Sequence, residues 1–112
     1  MKSNNSSQML KGILQGMMLT ILSKKPDYGY GISKQINQYG LKDVPKGTIY
    51  PLLTTMEKRG LIRGHMQPSD DGPDRKYYFV TTEGDQVKSA FIEEWHFLEK
   101  AVNTLIDEGE TE

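Results

Sequence analysis

The clearest pattern in this sequence lies in residues 45–61, where apolar positions follow the i, i+3, i+4, i+7 spacing of a one-sided helix. These apolar positions are Ile49, Leu52, Leu53 and Met56. The opposite face is rich in hydroxyls and cations and holds a single acid, Glu57. Its other polar members are Lys46, Thr48, Tyr50, Thr54, Thr55, Lys58 and Arg59. Such a helix suits insertion into a polyanionic groove, so we interpret it as a nucleic-acid recognition helix.

Two further helices are predicted ahead of it. Residues 9–24 are apolar on most sides, which is typical of a helix buried on more than one face. Gly12 and Gly16 each lower its helix propensity by about 1 kcal/mol relative to Ala, but they permit close approach of a neighbouring helix. Asp27 is placed to cap a second helix that ends at Gly40. The order of helix, short link and amphipathic helix predicts a helix-turn-helix.

Pro51 limits where the recognition helix begins. A proline has no amide hydrogen, and only amides of the first helical turn lack an intrahelical acceptor. We therefore expect the helix to begin near Gly47 or Thr48.

A β-hairpin is predicted directly after the recognition helix. Residues 61–67 and 75–81 are rich in strand-forming residues, and residues 68–74 between them (PSDDGPD) are turn-forming. A hairpin in this place is the wing of a winged helix-turn-helix. Its returning strand begins with Arg75 and Lys76, two cations suited to hold phosphate or to reach the minor groove.

Residues 82–112 predict one long helix and an acidic tail. Thr81 or Thr82 is placed to cap it, with Asp85 completing a capping-box-like start from Thr82. Apolar residues then recur at alternating intervals of four and three, an a/d-like seam. The seam consists of Phe91, Trp95, Leu98, Val102 and Leu105. About 25 helical residues span about 38 Å, which exceeds what one small core needs, so the seam predicts a dimer of two identical chains.

Composition sets limits on this picture. A chain of 112 residues with 36% hydrophobic residues supports one structural unit, which we divide into a DNA-binding region at 1–81 and a dimerisation helix at 82–112. The absence of cysteine excludes disulfides, thiolate chemistry and zinc fingers. No stretch approaches the ~20 apolar residues of a membrane span, and the polar start lacks a signal-peptide pattern. We therefore expect a soluble, cytoplasmic protein.

The net charge of −1 hides a strong asymmetry along the chain. Residues 1–81 contain twelve Lys/Arg and six Asp/Glu, for a net charge of +6. Residues 82–112 contain two and nine, for a net charge of −7. A basic body followed by an acidic segment is compatible with a polyanionic partner for the body.

Three segments together resemble a known family. The runs GTIYPLLTTMEKRGLI at 47–62 and RKYYFVTTEG at 75–84, separated by the turn-rich tip, resemble the signature of the PadR family of bacterial transcriptional regulators. YGYGISKQI at 28–36 resembles the segment that enters the family's second helix. The resemblance covers nearly the whole chain, and the single long C-terminal helix resembles the small-subunit, multidrug-binding-repressor-like branch.

The resemblance implies a mainly α fold with a small β-hairpin, that is, a winged helix-turn-helix with a long C-terminal dimerisation helix. It also implies a homodimer that binds a pseudo-palindromic double-stranded DNA operator, usually as a repressor. Family members often release DNA when an aromatic or drug-like compound binds, and some small members hold planar drugs between paired tryptophans at the dimer centre.

Trp95 stands where such a tryptophan is expected. Ile92, Trp95 and Glu99 share one helical face and supply an apolar wall, a stacking ring and an acid for a cationic ligand. Met9 and Ile13 of the first helix supply the facing wall. The alternative is that Trp95 only packs within the dimer contact.

Roles on the DNA side follow from chemistry. Cations neutralise phosphates, here Lys46, Lys58 and Arg59 on the helix with Arg75 and Lys76 on the wing. Side chains of intermediate length suit base edges or thymine methyls, here Thr48, Tyr50, Thr54 and Thr55. The alternative reading is an ordinary solvated helix face and hairpin.

Two rival functions are open at this point. One is a winged-helix module that binds protein and not DNA. The other is a small enzyme that uses His65 or His96. Neither histidine has sequence neighbours that indicate a catalytic triad or a metal site, so we predict no enzyme activity, no cofactor and no metal.

Overall fold

The computed structural model describes residues 8–42 and 44–110 of the chain. The elements in chain order are α1 (Gln8–Lys24), β1 (Asp27–Tyr28), α2 (Gly29–Gln38), α3 (Lys46–Lys58), β2 (Ile62–Ser69), β3 (Gly72–Val80) and α4 (Thr82–Glu110). The strands form one antiparallel sheet in the order β1-β3-β2. The mainly helical fold class predicted from the sequence is confirmed. The last two residues of the predicted acidic tail lie outside the described residues.

One hydrophobic core joins the first three helices and the base of the sheet. Its members are fully or almost fully buried and come from α1, α2, α3, the first residue of β2 and the connections before α3 and β2. They are Leu14, Met18, Leu19, Ile21, Leu22, Ile32, Ile36, Val44, Ile49, Leu53, Met56, Leu61 and Ile62. The near-complete apolar surface of α1 is explained because α1 contacts α2, β3 and α4.

Helix α4 crosses α1 at a glycine. A Cβ atom on Gly16 would overlap the ring of Phe91, so the absence of a side chain lets the ring lie directly on the α1 backbone. The predicted close approach of a helix is thus confirmed at Gly16. At Gly12 no other element of the described chain comes within 4 Å of the corresponding position.

Helix α3 starts earlier than Pro51 suggested. It begins at Lys46, with Pro45 as the residue before it, so Pro51 lies in the second turn and not the first. Its ring nitrogen has no hydrogen to donate to the carbonyl of Gly47. Both residues are exposed, so the missing bond costs less than it would in the core.

The segment before α2 contains a strand that the sequence analysis missed. Asp27 pairs with Tyr78 in β1 and is not the N-cap, a place taken by Tyr28 without a side-chain cap bond. The Asp27 carboxylate instead accepts hydrogen bonds from the Tyr28 amide and from Gln35 Nε2, each at 2.8 Å. It therefore anchors α2 from the strand side.

The hairpin strands are longer, and the turn shorter, than predicted. Only residues 70 and 71 form the turn, so Pro68 and Pro73 lie within strands. Strand β1 pairs only with Tyr77 and Tyr78, so the outer part of the hairpin is a two-stranded ribbon with unpaired outer edges. Proline is tolerated on such edges because it removes no ladder hydrogen bond there.

At the start of α4, one of the two predicted N-cap residues is confirmed and the predicted capping box is wrong. Thr81 is the cap: its Oγ1 accepts the Gly84 amide at 3.0 Å. Gly84, not Asp85, therefore occupies the third helical position, and the capping-box prediction from Thr82 is wrong. The Thr81 hydroxyl also donates to the Gly60 carbonyl at 2.6 Å, which ties the end of α3 to the start of α4.

We expect Thr81→Ala to lower the free energy of unfolding by about 1–2 kcal/mol, because both the cap and the bond to Gly60 are lost. Urea unfolding followed by circular dichroism at a fixed protein concentration measures this. Thr82→Ala is the matched control and should change the free energy by less than about 0.5 kcal/mol. Equal losses at the two threonines would contradict the assignment of Thr81 as the cap.

Candidate nucleic-acid interface

The exposed face of α3 carries the side chains predicted for DNA. Ile49, Leu53 and Met56 are fully buried, which fixes the rotation of the helix and turns its opposite side outward. Six of the seven predicted polar residues are exposed, namely Lys46, Tyr50, Thr54, Thr55, Lys58 and Arg59. Thr48 is half-buried.

Two residues of this face were missed by the sequence analysis. Gly47 and Pro51 are exposed and lie one turn apart, in line with Thr54 and Lys58. The 3.6-residue period of the helix was a sufficient signal for them, but neither carries a donor or a charge. Glycine has no side chain and the proline ring is short. A DNA backbone or base edge can therefore come close to α3 at these two positions.

Tyrosines connect the start of α3 to the hairpin. Lys46 Nζ lies 4.7 Å from the centroid of the Tyr30 ring, and Tyr30 stacks on Tyr28 at 6.2 Å. Tyr28 contacts Tyr77 of β3 at 5.4 Å, and the Arg75 guanidinium lies 4.5 Å from the Tyr28 centroid. We call this chain of side chains the tyrosine–cation surface. It holds two predicted DNA contacts, Lys46 and Arg75, at its two ends through cation–π contacts.

The YGYG sequence explains how this surface forms. A Cβ atom on Gly29 would overlap the ring of Tyr50, and one on Gly31 would overlap the Asp27 carboxylate. The glycines therefore admit these neighbours, while Tyr28 and Tyr30 between them form the tyrosine–cation surface. The sequence analysis did not include the two tyrosines among the site residues, because their ring partners lie in α3 and β3, far away along the chain.

Several of the predicted DNA-binding residues also have polar partners within the protein. Arg59 follows the last turn of α3, and its Nη1 donates to Gln15 Oε1 of α1 at 3.1 Å. Lys76 Nζ lies 3.0 Å from Glu57 Oε1, and this hydrogen bond is the main cause that raises the pKa of Lys76. Burial raises the pKa of Tyr78 beside it. Arg75 also contacts Asp71 at the hairpin turn, at 3.4 Å.

A second candidate site lies between α1 and α4. This α1–α4 groove has a volume of about 610 Å³ and contains four of the five residues predicted to bind a ligand, which are Met9, Ile13, Trp95 and Glu99. Glu94 adds a second acid, which was not predicted. The fifth residue, Ile92, lies on the other side of Trp95, in a smaller groove of about 300 Å³.

The two histidines lie on different elements and make separate local contacts. His65 packs edge-on against Phe79 with ring centroids 5.4 Å apart, and His96 Nδ1 lies 3.9 Å from a Glu99 oxygen. Within residues 8–42 and 44–110, no three His, Cys, Asp or Glu side chains are grouped so as to hold a metal ion. No helix of the described part is long and apolar enough to cross a membrane.

Comparison with known proteins identifies relatives. The sequence model of the Transcriptional regulator PadR-like family matches residues 18–90. A transcriptional regulator from Streptococcus is 41% identical, with a TM-score of 0.83 over 89% of this chain and 98% of that chain. A PadR-like transcriptional regulator from Bacillus cereus is 43% identical, with a TM-score of 0.81 over 89% and 97%. A PadR family transcription regulator from Clostridium difficile is 33% identical, with a TM-score of 0.77 over 85% and 99%.

Proposed function

This chain belongs to the PadR-like family of transcriptional regulators, and we propose that it acts as a dimeric, sequence-specific DNA-binding repressor that an aromatic ligand releases. Membership implies regulation through DNA binding and not enzyme catalysis. The matched residues 18–90 include the helix-turn-helix and the hairpin. We therefore propose that it is located in the cytoplasm, where bacterial DNA lies.

The proposed DNA binding is supported above all by the tyrosine–cation surface beside the exposed face of α3. It places Lys46 at the first turn of α3 and Arg75 on the hairpin at the ends of one continuous side-chain chain. An α-helix in the major groove with a β-ribbon beside it has this layout. Thr54, Thr55 and Tyr50 then face base edges, while the cations contact phosphates.

The dimer is supported by the long helix. Helix α4 has 29 residues, so it spans about 43 Å. Its predicted seam is poorly covered by the rest of the chain: Leu98 is 46%, Val102 52% and Leu105 71% exposed. Exposed apolar side chains in this regular pattern are typical of a helix that pairs with a second copy. Two copies present two α3 helices, which suits a pseudo-palindromic operator with half-sites about 34–36 Å apart.

The ligand part is supported by the α1–α4 groove. Its lining is mainly apolar and includes Trp95, which is 41% exposed. Two carboxylates, Glu94 and Glu99, also line the groove. A planar aromatic cation matches this lining, because a ring stacks on tryptophan and a charge pairs with a carboxylate. A ligand there touches both α1 and α4 and can change the separation of the two α3 helices.

We expect Lys46→Ala, Lys58→Ala and Arg75→Ala each to weaken operator binding and to reduce the slope of log K against log salt by about one unit, since each removes one phosphate contact. Fluorescence anisotropy with the DNA upstream of the protein's own gene, at several salt concentrations, measures the slope. The control is Lys100→Ala, an exposed lysine of α4, which should leave the slope unchanged.

An unchanged slope in all three variants would contradict DNA contact through this face. If the wild-type protein shows no salt-dependent binding to this or to random genomic DNA, the proposed DNA function fails, and the face becomes a protein-docking surface.

We expect Leu105→Asp to convert the dimer to monomers, because it places a carboxylate within an apolar seam. Sedimentation equilibrium measures the mass. Phe97→Asp is a matched control: Phe97 is 73% exposed and on α4 as well, but lies outside the seam, so this variant should remain dimeric. A wild-type monomer, or a Leu105→Asp protein that dimerises as the wild type does, would contradict the seam.

We expect the planar cation rhodamine 6G to quench the fluorescence of Trp95, the single tryptophan, and to weaken operator binding over the same concentrations. Glu94→Gln with Glu99→Gln should weaken rhodamine binding about fivefold or more, because two carboxylates are lost. The uncharged compound flavone is the control and should bind both proteins equally. Saturated quenching with unchanged operator affinity would contradict ligand release.

A further inference from the structure

We infer that Glu57 is a positioning residue that fixes the hairpin against α3 for DNA binding, and that Lys76 serves this contact and not a phosphate. The contact, here called the clasp, consists of Glu57, Lys76 and Gly64. The inference rests on the proposed DNA function, and it reassigns one of the residues predicted to bind DNA.

The geometry of the clasp joins three elements through one carboxylate. Glu57 lies in the last turn of α3. Its Oε1 accepts a hydrogen bond from Lys76 Nζ of β3 at 3.0 Å. Its Oε2 accepts the amide of Gly64 in β2 at 3.3 Å. Both strands of the hairpin are therefore held by the same side chain of α3.

Gly64 supplies independent support. Glycine weakens a strand, so its presence in the middle of β2 calls for a reason. A Cβ atom on Gly64 would overlap Cε of Lys76. The lysine stem thus passes over Gly64 on its way to Glu57, and it also places Nζ 5.5 Å from the centroid of the Tyr78 ring. A side chain at residue 64 would displace the lysine from the carboxylate.

The charge of Glu57 is a second observation that supports its role in positioning the hairpin. Glu57 is the single acid of α3, on a helix proposed to lie against phosphates. An unpaired carboxylate there would repel DNA, whereas the Glu57–Lys76 pair is neutral and directs Lys76 Nζ to Glu57. Lys76 therefore adds little to counterion release. Arg75, the adjacent residue, projects to the opposite face of β3 and lies over Tyr28.

The hairpin needs such a contact because the sheet alone does not orient it. Strand β1 reaches only Tyr77 and Tyr78, so beyond them the hairpin is a two-stranded ribbon, which bends and twists more readily than a sheet of three strands. The clasp acts on this ribbon at Lys76, next to Arg75. It thereby sets where the Arg75 guanidinium lies relative to the exposed face of α3.

The decisive variant is Glu57→Ala. It removes a negative charge from the proposed DNA face. If Glu57 had no positioning role, the variant would therefore bind the operator as tightly as the wild type or more tightly. A positioning residue predicts the opposite sign: operator affinity should fall about three- to tenfold while the salt slope stays the same. Asp70→Ala is the matched control, because it also removes one acid, here from the hairpin turn, but leaves the clasp intact, and it should not weaken binding.

A charge swap separates positioning from phosphate contact. Lys76→Glu alone should bind more weakly than wild type, since two carboxylates then face each other across the clasp. Adding Glu57→Lys restores an ion pair of the same net charge and should return affinity to within about threefold of wild type. If Lys76 instead contacts phosphate, Lys76→Ala should lower the salt slope by about one unit, as Arg75→Ala does.

Residual dipolar couplings test the clasp without DNA. In the wild-type protein the amides of α3 and of the hairpin should fit one common alignment tensor. In Glu57→Ala the two elements should each fit well alone but no longer together, which also shows that the variant is folded. A common fit retained in Glu57→Ala would overturn the inference.

The outcomes separate the two proposals. If the wild-type protein does not bind DNA in a salt-dependent way, the proposed function fails, and the dipolar couplings still decide whether Glu57 orients the hairpin. If the wild type binds DNA but Glu57→Ala binds equally well or better, the inference alone fails.

Discussion

The structure depends on the burial of one side of α3. Ile49, Leu53 and Met56 are fully enclosed, and each contributes about 1.5–3 kcal/mol relative to an exposed side chain. A rotation of the helix that exposed them would therefore cost several times the energy of any surface contact. This constraint decides which side chains face outward, so the proposed DNA face of α3 is a consequence of the core. The polar residues on the opposite side of α3 supply hydrogen-bonding groups and charges, but the buried residues determine which way they face.

Several cations near this face have partners within the protein. Lys46 and Arg75 lie over tyrosine rings, which restrict a long side chain without cancelling its charge. Lys76 faces a carboxylate, which does cancel it. The acidic residues concentrate in residues 82–112, largely on α4. For a protein that presents α3 to DNA, this separation keeps most acids out of the proposed DNA-binding region, so that region attracts phosphates although the whole chain has a net charge of −1.

Sequence periodicity was sufficient for α1 and α3, which bury apolar residues in the core, and for α4, whose apolar seam stays largely exposed. Residue types were sufficient for the two hairpin strands. Both signals failed where the deciding contact is distant in sequence. Two-residue β1 exists only because β3 pairs with it some fifty residues later. The ion pair of Lys76 with Glu57 was not foreseen, because Glu57 lies 19 residues away in another element. The choice between Thr81 and Thr82 as cap depended on backbone geometry alone, since both have the same hydroxyl.

The proposed ligand response depends on how α4 is attached to the DNA-binding part. Phe91 lies directly on the backbone of Gly16, and α1 continues from there into the core shared with α3. A bare backbone against a ring leaves little room for sliding, so the two helices move together at this point. Trp95, one turn further along α4, lines the groove on one side of that fixed contact. A ligand that wedges α1 and α4 apart at Trp95 therefore tilts α4 about Phe91, and in a dimer joined through α4 that tilt changes the distance between the two recognition helices.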